Sequence, residues 1–255
     1  MEEFFDIVQF TVPLFAFWLQ FLFSFMILTV DIGNSRTKFG MFDGGQLVRK
    51  FVIETIRAQS AESIFETLRS AIPDLPQAII VSSVVKELDK TYLDLSNDFL
   101  RVKPQFIDHT LDLGFEIKYE PREDCGSDRL VGAFSAIEQY GAPCIICSFG
   151  TATTIDIVNQ EREYLGGIIT PGIGTLASAL FEKTSKLPHV ELSKPKSVIG
   201  NSTVNSISSG IYFGYIGLVD GIIKRMIDES GSKPLVISTG GFAELIAEES
   251  EYVET

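Results

Sequence analysis

The sequence predicts an α/β protein of two lobes, each a mixed β-sheet flanked by helices, and three observations predict it. A strand, a polar glycine turn, a return strand and a third strand occur twice, once near Asp31 and again near Gly150. Helical spacing recurs between these hairpins, as in Ile64, Phe65, Leu68 and Ile72. Short apolar runs such as Ala78-Ile-Ile-Val read as buried strands. Two copies of one α/β unit imply two lobes with a cleft between them.

Each element follows from its residues. Met26 to Phe42 reads as two strands around a turn, and Asp43-Gly44-Gly45 as the next hairpin turn. A short third strand is expected over 51–54, a helix over 61–71, a strand over 78–83, a helix over 88–100 and a strand over 105–108. The helix from Arg129 to Tyr140 gathers Leu130, Ala133, Phe134 and Ile137 on one side. The pattern then restarts: a strand over 143–149, the turn Gly150-Thr-Ala-Thr-Thr, a return strand over 155–158 and a third strand over 163–169. A helix near 175–185, a long helix over 207–230 and a strand over 235–241 complete the reading. The second lobe is expected over 126–255 and the first over 26–125.

Composition narrows the function. The chain has 255 residues, 45% of them apolar, which is enough for a full core. Its formal net charge of -13 argues against DNA or RNA as a partner, because phosphate binding needs a concentrated positive field. Three cysteines, Cys125, Cys144 and Cys147, fit a reducing cytoplasm. Cys144 and Cys147 are spaced C-x-x-C, but side chains three apart on a strand point to opposite faces, so small core residues are expected rather than a redox pair. His109 and His189 stand alone, without ligand spacing, and His189 reads as a loop or surface residue.

Residues 7–30 carry no charge and by length could cross a bilayer. Their flank (Glu2, Glu3, Asp6) is acidic and lacks the Lys or Arg that orients a membrane helix. The run also passes without a linker into Ile27-Leu-Thr-Val-Asp, and one segment cannot be both membrane helix and first strand of a sheet. Residues 1–25 are therefore expected to be an upstream extension outside the fold, with a membrane anchor as the alternative.

The turns carry the chemistry. Successive exposed backbone N–H groups make an anion cradle. Gly33-Asn34-Ser35 and Gly150-Thr151-Ala152-Thr153-Thr154 each supply small residues with hydroxyl or amide donors, and two such cradles facing each other would clasp a polyphosphate. Arg36 or Lys38 adds positive charge. Asp31 beside the first cradle would repel phosphate unless a cation intervenes, which points to Mg²⁺ held largely through water. Neither a Walker A loop nor a G-x-G-x-x-G dinucleotide turn is found. Asp128 sits where a helix begins. On spacing alone a helix cap is the stronger reading; the functional reading is a base that accepts a proton from an attacking hydroxyl. Arg129 beside it could take a substrate carboxylate by a two-pronged contact.

Seven segments in order, Asp31-Ile-Gly-Asn-Ser, Gly126-Ser-Asp-Arg, Gly150-Thr-Ala-Thr-Thr, Gly166-Gly-Ile-Ile-Thr-Pro-Gly, Lys186-Leu-Pro-His-Val, Ile199-Gly-Asn-Ser-Thr and Thr239-Gly-Gly, resemble the type III pantothenate kinase family. The resemblance covers nearly all of residues 27–245. It implies an actin- and hexokinase-like fold of two ribonuclease-H-like lobes. It implies transfer of the ATP γ-phosphoryl group to the primary hydroxyl of pantothenate, opening coenzyme A synthesis, by a cytoplasmic homodimer using Mg²⁺ and K⁺ or NH4⁺. By matched motif, Asp31, Ile32, Gly33, Asn34, Ser35, Arg36, Thr37 and Lys38 form the first ATP loop, and Thr151 contacts ATP from the second. Asp128 becomes the general base. Tyr119, otherwise read as a core aromatic, joins Gly126, Ser127, Asp128 and Arg129 around pantothenate, and Thr203 completes that site from the partner subunit.

Three departures modify these expectations. Ser148 stands where the family places the Asp that ligates the monovalent cation. A hydroxyl brings no charge and is a weaker ligand, which weakens the expectation of K⁺ activation and of full ATP affinity. Gly126-Ser-Asp-Arg replaces the commoner Gly-Ala-Asp-Arg. The chain ends at Thr255, where relatives continue, so a last helix of the second lobe is expected to be missing. The first and third departures motivate an alternative: a nucleotide-binding or regulatory protein on the same scaffold.

Overall fold

A computed structural model describes residues 25–72, 74–184 and 187–254. The expected extension, apart from Phe25, lies outside these residues, as does Lys186 of the Lys186-Leu-Pro-His-Val segment. The described chain forms two compact units, 25–114 with 119–139 and 115–118 with 140–254.

The first unit is built on a five-stranded sheet of order β3-β2-β1-β4-β5, from β1 (Met26–Ile32), β2 (Arg36–Asp43), β3 (Gln46–Glu54), β4 (Ala78–Ser83) and β5 (Pro104–Phe106). β1, β2 and β3 run antiparallel in sequence, and β4 lies parallel to β1. β3 starts at Gln46, earlier than expected. Gly44 and Gly45 both take positive φ, 54° and 86°, and close the hairpin at once. Its first half (Val48, Arg49, Lys50) is exposed and charged, as suits an edge strand.

Alternation along β1 supplies two apolar faces. Leu28, Val30 and Ile32 pack with Phe39, Met41, Ile64 and Leu68 of α1 (Ala61–Ala71), and with Leu88 and Tyr92 of α2 (Lys86–Asp94). Ile27, on the other face, packs with Phe42, Ile80 and Val131 of α3 (Ser127–Tyr140), and Phe25 borders this cluster. Helix α3 therefore packs with the first sheet, while motif order had assigned everything after residue 125 to the second lobe. α1 is capped by Ser60, whose hydroxyl accepts from Ser63 N, an interaction of about 1 kcal/mol. The helix expected over 88–100 starts at Lys86 and continues beyond α2 as π-helix over Leu95–Leu100.

The second unit repeats the plan. Its sheet has the order β10-β7-β8-β9-β6, from β6 (Glu116–Ile117), β7 (Cys144–Phe149), β8 (Ala152–Val158), β9 (Glu163–Pro171) and β10 (Leu235–Thr239). β7, β8 and β9 are antiparallel neighbours and β10 is parallel to β7, matching β1, β2, β3 and β4 one for one. Ile145, Cys147, Phe149 and Ile155 pack against Tyr212, Tyr215, Ile216, Val219 and Ile223 of the long helix α5 (Thr203–Ser230). α5 is the one described helix long and apolar enough to cross a membrane, and its apolar face is the second sheet's core. Ser202 caps its start, and Gly231, at φ 61°, ends it. α4 (Ile173–Glu182) precedes it and α6 (Ala243–Ala247) follows β10.

Cys144 and Cys147 are free and buried on β7, and burial pushes the Cys144 thiol up to about 12 and that of Cys147 higher still. Both are small core residues of the strand, as expected, and burial holds each as the neutral thiol. His189 is exposed, its ring edge-on to Phe181.

Candidate active site

In the first unit the site grows from the end of β1. Asp31 is paired in register with Lys38 on β2 and with Ser82 on β4. Lys38 Nζ lies 3.3 Å from Asp31 Oδ2. The next register pair, Ile32 with Thr37, is fully inward: their side chains are 0% and 1% exposed. What the hairpin presents outward is Gly33, Asn34, Ser35 and Arg36. Gly33 N–H donates to Arg36 O at 3.1 Å, and a Cβ on Gly33 would sit 3.0 Å from that oxygen, so the tight turn favours glycine.

Ser127 ties α3 to the same strand ends. Its hydroxyl is 3.0 Å from Ser82 Oγ, accepts from Ser83 N at 2.9 Å and donates to Ser83 O at 3.1 Å. The serine that departs from the commoner family residue thus has its hydroxyl committed to β4, in the register row of Asp31. Asp128 follows, exposed in the first turn of α3, where the helix dipole favours a carboxylate. Its Oδ1 accepts from Arg129 N at 2.8 Å. Gly126 makes room for it: a Cβ there would stand 2.5 Å from Asp128 Oδ1. Arg129 is 6% exposed, and its guanidinium carbon lies 5.0 Å from the centre of the Tyr119 ring, a cation–π contact. Asp31, Lys38, Tyr119, Gly126, Ser127, Asp128 and Arg129 therefore all belong to one unit.

Burial pushes the Asp31 carboxyl up from 3.8 to about 6, against the pull of Lys38, and the charge of Asp128 adds to the rise. A raised acid folds best in its neutral form. The stabilisation is complete below pH 3.8 and is lost as pH climbs through about 6, a difference of roughly 3 kcal/mol. Without Mg²⁺ or nucleotide, Asp31→Asn is expected to be more stable than the parent, by a margin that widens from pH 5 to pH 7 and is then constant. Urea unfolding of both proteins across that range checks it; a margin independent of pH would contradict it.

The second unit presents the equivalent hairpin. Phe149 pairs with Thr153 as Ile32 does with Thr37, so Gly150 corresponds to Gly33 and Ser148 to Asp31. Where the first hairpin pairs Asp31 with Lys38, the second pairs Ser148 with Thr154. Thr151 and Ala152 form the exposed tip. Three glycines from separate motifs crowd this loop. Gly150 N–H donates to Ala152 O at 3.1 Å. A Cβ on Gly172 would lie 2.1 Å from Gly150 O, and one on Gly240, at φ 100°, would lie 2.5 Å from Phe149 O. The third-strand and Thr239-Gly-Gly motifs are thus packing surfaces for the second hairpin. Thr203, the first residue of α5, lies in this unit on an open groove of about 680 Å³ with Leu176, Leu180 and Leu187.

For a divalent cation, Asp31 offers one buried carboxylate already paired with Lys38, which fits only a cation held largely through water. Among the described residues no group of three or more His, Cys, Asp or Glu could hold a metal by itself. For a monovalent cation the donor set does not fit the family pattern: position 148 offers a hydroxyl, without charge.

Sequence reasoning missed Thr55, which bonds the first hairpin, and Thr175, which bonds the second. Both stand outside any motif, and no periodicity marks them.

Two units that share the order of four strands, with the fifth strand on opposite edges, and that each end the first strand of the repeat in a polar glycine hairpin, define a protein of the actin- and hexokinase-like fold. Solved structures agree on the fold. A Campylobacter jejuni protein assigned to the Baf family of transcriptional activators superposes with a TM-score of 0.56 at 21% identity, over 89% of each chain. The ethanolamine utilization protein EutJ of Carboxydothermus hydrogenoformans gives 0.53 at 13% identity, over 89% of this chain and 81% of its own. The sequence profile of type III pantothenate kinases matches residues 27–225. The type III pantothenate kinase of Koribacter versatilis is 38% identical over 245 residues, covering 90% of this chain and 89% of the relative. That of Bacillus cytotoxicus is 39% identical over 236 residues, 90% of each chain. The chain belongs to the type III pantothenate kinase family.

Proposed function

We propose that this protein phosphorylates pantothenate with ATP, forming 4'-phosphopantothenate and ADP, the opening step of coenzyme A synthesis. The observation that carries the reading is the placement of Asp128. Its exposed carboxylate stands at the start of α3, fixed through Ser127 to the strand beside Asp31. In the reaction the primary hydroxyl oxygen of pantothenate attacks the γ-phosphorus. The bond from that phosphorus to the β–γ bridging oxygen breaks, ADP leaves, and the hydroxyl proton passes to Asp128. Arg129, held over Tyr119, supplies the fixed cation for the pantothenate carboxylate. The first hairpin, Asp31 to Lys38, and Thr151 of the second bind the ATP phosphates. Asp31 would hold the Mg²⁺ of Mg–ATP, which would supply neutralisation of the phosphate charge.

A second copy of the chain is the proposed partner, contributing Thr203 to the pantothenate site. Supporting this, Thr203 lines the open apolar groove between α4 and α5, with Leu176, Leu180 and Leu187 beside it. The proposed compartment is the cytoplasm, which the free buried cysteines suit.

The test is ADP release by purified protein with ATP, Mg²⁺ and pantothenate, run in Na⁺, K⁺ and NH4⁺ salts. Release that requires pantothenate is expected. Because Ser148 lacks the charge of an aspartate, the stimulation by K⁺ or NH4⁺ over Na⁺ is expected to be below about twofold, by loss of one charged ligand. ADP release indifferent to pantothenate would refute the substrate assignment, and strong K⁺ stimulation would refute the role given to Ser148.

A further inference from the structure

Each hairpin is gripped by a threonine hydroxyl, on the first turn residue's carbonyl in one unit and on the second turn residue's in the other. In the first unit, Thr55 follows β3 directly. Its hydroxyl donates to Gly33 O at 2.8 Å, and its backbone N–H donates to Ser35 O at 3.1 Å. The same hydroxyl lies 2.9 Å from Thr37 Oγ1, which is bonded in turn to the buried Tyr92 of α2. In the second unit, Thr175 lies in the first turn of α4, which follows β9, the equivalent third strand. Its hydroxyl donates to Thr151 O at 2.6 Å, and Gly172 N–H donates to the same oxygen at 2.9 Å. Beneath it, Tyr215 OH of α5 donates to Thr153 Oγ1 at 2.5 Å. Thr37 and Thr153 occupy equivalent register positions, and each is tied to a buried tyrosine from a helix.

A peptide unit is rigid and trans, so fixing its carbonyl oxygen fixes the N–H on the opposite edge. Thr55 holds the Gly33 carbonyl and so sets the direction of Asn34 N–H. Thr175 holds the Thr151 carbonyl and so sets the direction of Ala152 N–H. These are tip amides of the two anion cradles, and a cradle binds phosphate only when its N–H groups converge.

We propose that Thr55 and Thr175 are positioning residues that aim the backbone amides of the two hairpins at the phosphates of ATP; the inference rests on the reading of those hairpins as ATP-phosphate loops. Neither side chain needs to touch the nucleotide. The repeat of the device in two units, with different spacing from the preceding strand, argues that the grip serves the hairpin and not a local accident of one loop.

The test compares Thr55→Val and Thr175→Val, which keep side-chain shape but lose the hydroxyl, with Thr55→Ser and Thr175→Ser, which keep it. Calorimetric titration with Mg–ATP gives the Kd, kinetics give the KM for pantothenate, and thermal unfolding gives Tm. Each valine variant is expected to bind ATP roughly tenfold more weakly, the scale of one lost hydrogen bond, with the pantothenate KM unchanged. Each serine variant is expected to recover parental affinity to within about twofold, whatever its Tm, because the hydroxyl and not the methyl group makes the bond. Valine variants that bind ATP like a binding parent would overturn the inference while leaving the kinase reading intact. Serine variants as weak as the valines would also overturn it, by showing that packing is what matters. A parent that binds no ATP would remove the phosphate-loop reading itself, and the inference with it.

Discussion

Asp128→Asn is expected to reduce turnover by about 10²–10⁴-fold while leaving the Kd for Mg–ATP within a few-fold of the parent. The amide is nearly the same size and can still accept from Arg129 N, the 2.8 Å bond of Asp128 Oδ1, so the start of α3 is kept. What is lost is an acceptor for the hydroxyl proton. On the proposed mechanism binding and chemistry therefore separate: the hairpins would hold ATP, and α3 would take the proton. Steady-state turnover together with nucleotide titration checks the prediction. If turnover and ATP affinity fell together, Asp128 would be a binding or folding residue; retained turnover would remove it as the base.

Gly172→Ala is expected to have the next largest effect. Gly172 has φ -66° and ψ 159°, a backbone that alanine adopts freely, so the cost is steric alone. The new Cβ would meet Gly150 O at 2.1 Å and Thr151 O at 2.8 Å, both backbone atoms that can move only with the hairpin. Overpacking of this kind costs about 1–3 kcal/mol and here displaces the carbonyl that Thr175 holds. ATP affinity is expected to fall by more than about tenfold, together with a lowered Tm, following that strain range. Gly241→Ala is the control, because a Cβ there meets nothing within 4 Å. Equal ATP affinity in the two variants would show that the Gly172 contact does not shape the second hairpin.

Much of this was legible in the sequence because it is periodic or punctuated. β1, α1 and β4 announce themselves by apolar pattern, and both hairpins by glycine beside strand ends. The rest was illegible for identifiable reasons. β6 has only two residues, Glu116 and Ile117, and its place is set by pairing with Glu163 and Tyr164 far along the chain. The first half of β3 carries Arg49 and Lys50, and a charged edge strand reads as a loop. The first turn of α5, Thr203-Val-Asn-Ser, is polar, and the cap at Ser202 defines it rather than periodicity. α6 has five residues, too few for a helical stripe to register.

The site divides in the same way. Asp31 and the glycine turns stood out because a carboxylate and glycines in apolar runs are conspicuous, whereas Asp128 read as a helix cap on spacing alone and became the expected base only through the family resemblance. Ser127 was expected near the substrate by matched motif; its hydroxyl bonds Ser82 and Ser83, a tie between segments that are distant in the sequence and that a motif does not reveal. Thr55 and Thr175 act through single side-chain bonds to loop carbonyls, and a lone threonine leaves no mark in a sequence. Gly172 and Gly240 were visible only as motif members; their reason is the backbone of another segment pressed against each.

The most direct measurement follows the γ-phosphoryl group itself. ATP labelled on the γ-phosphorus is incubated with the protein, Mg²⁺ and pantothenate, and the products are separated. The account predicts label on the primary hydroxyl of pantothenate. Label recovered only as inorganic phosphate, or left on ATP, would contradict it.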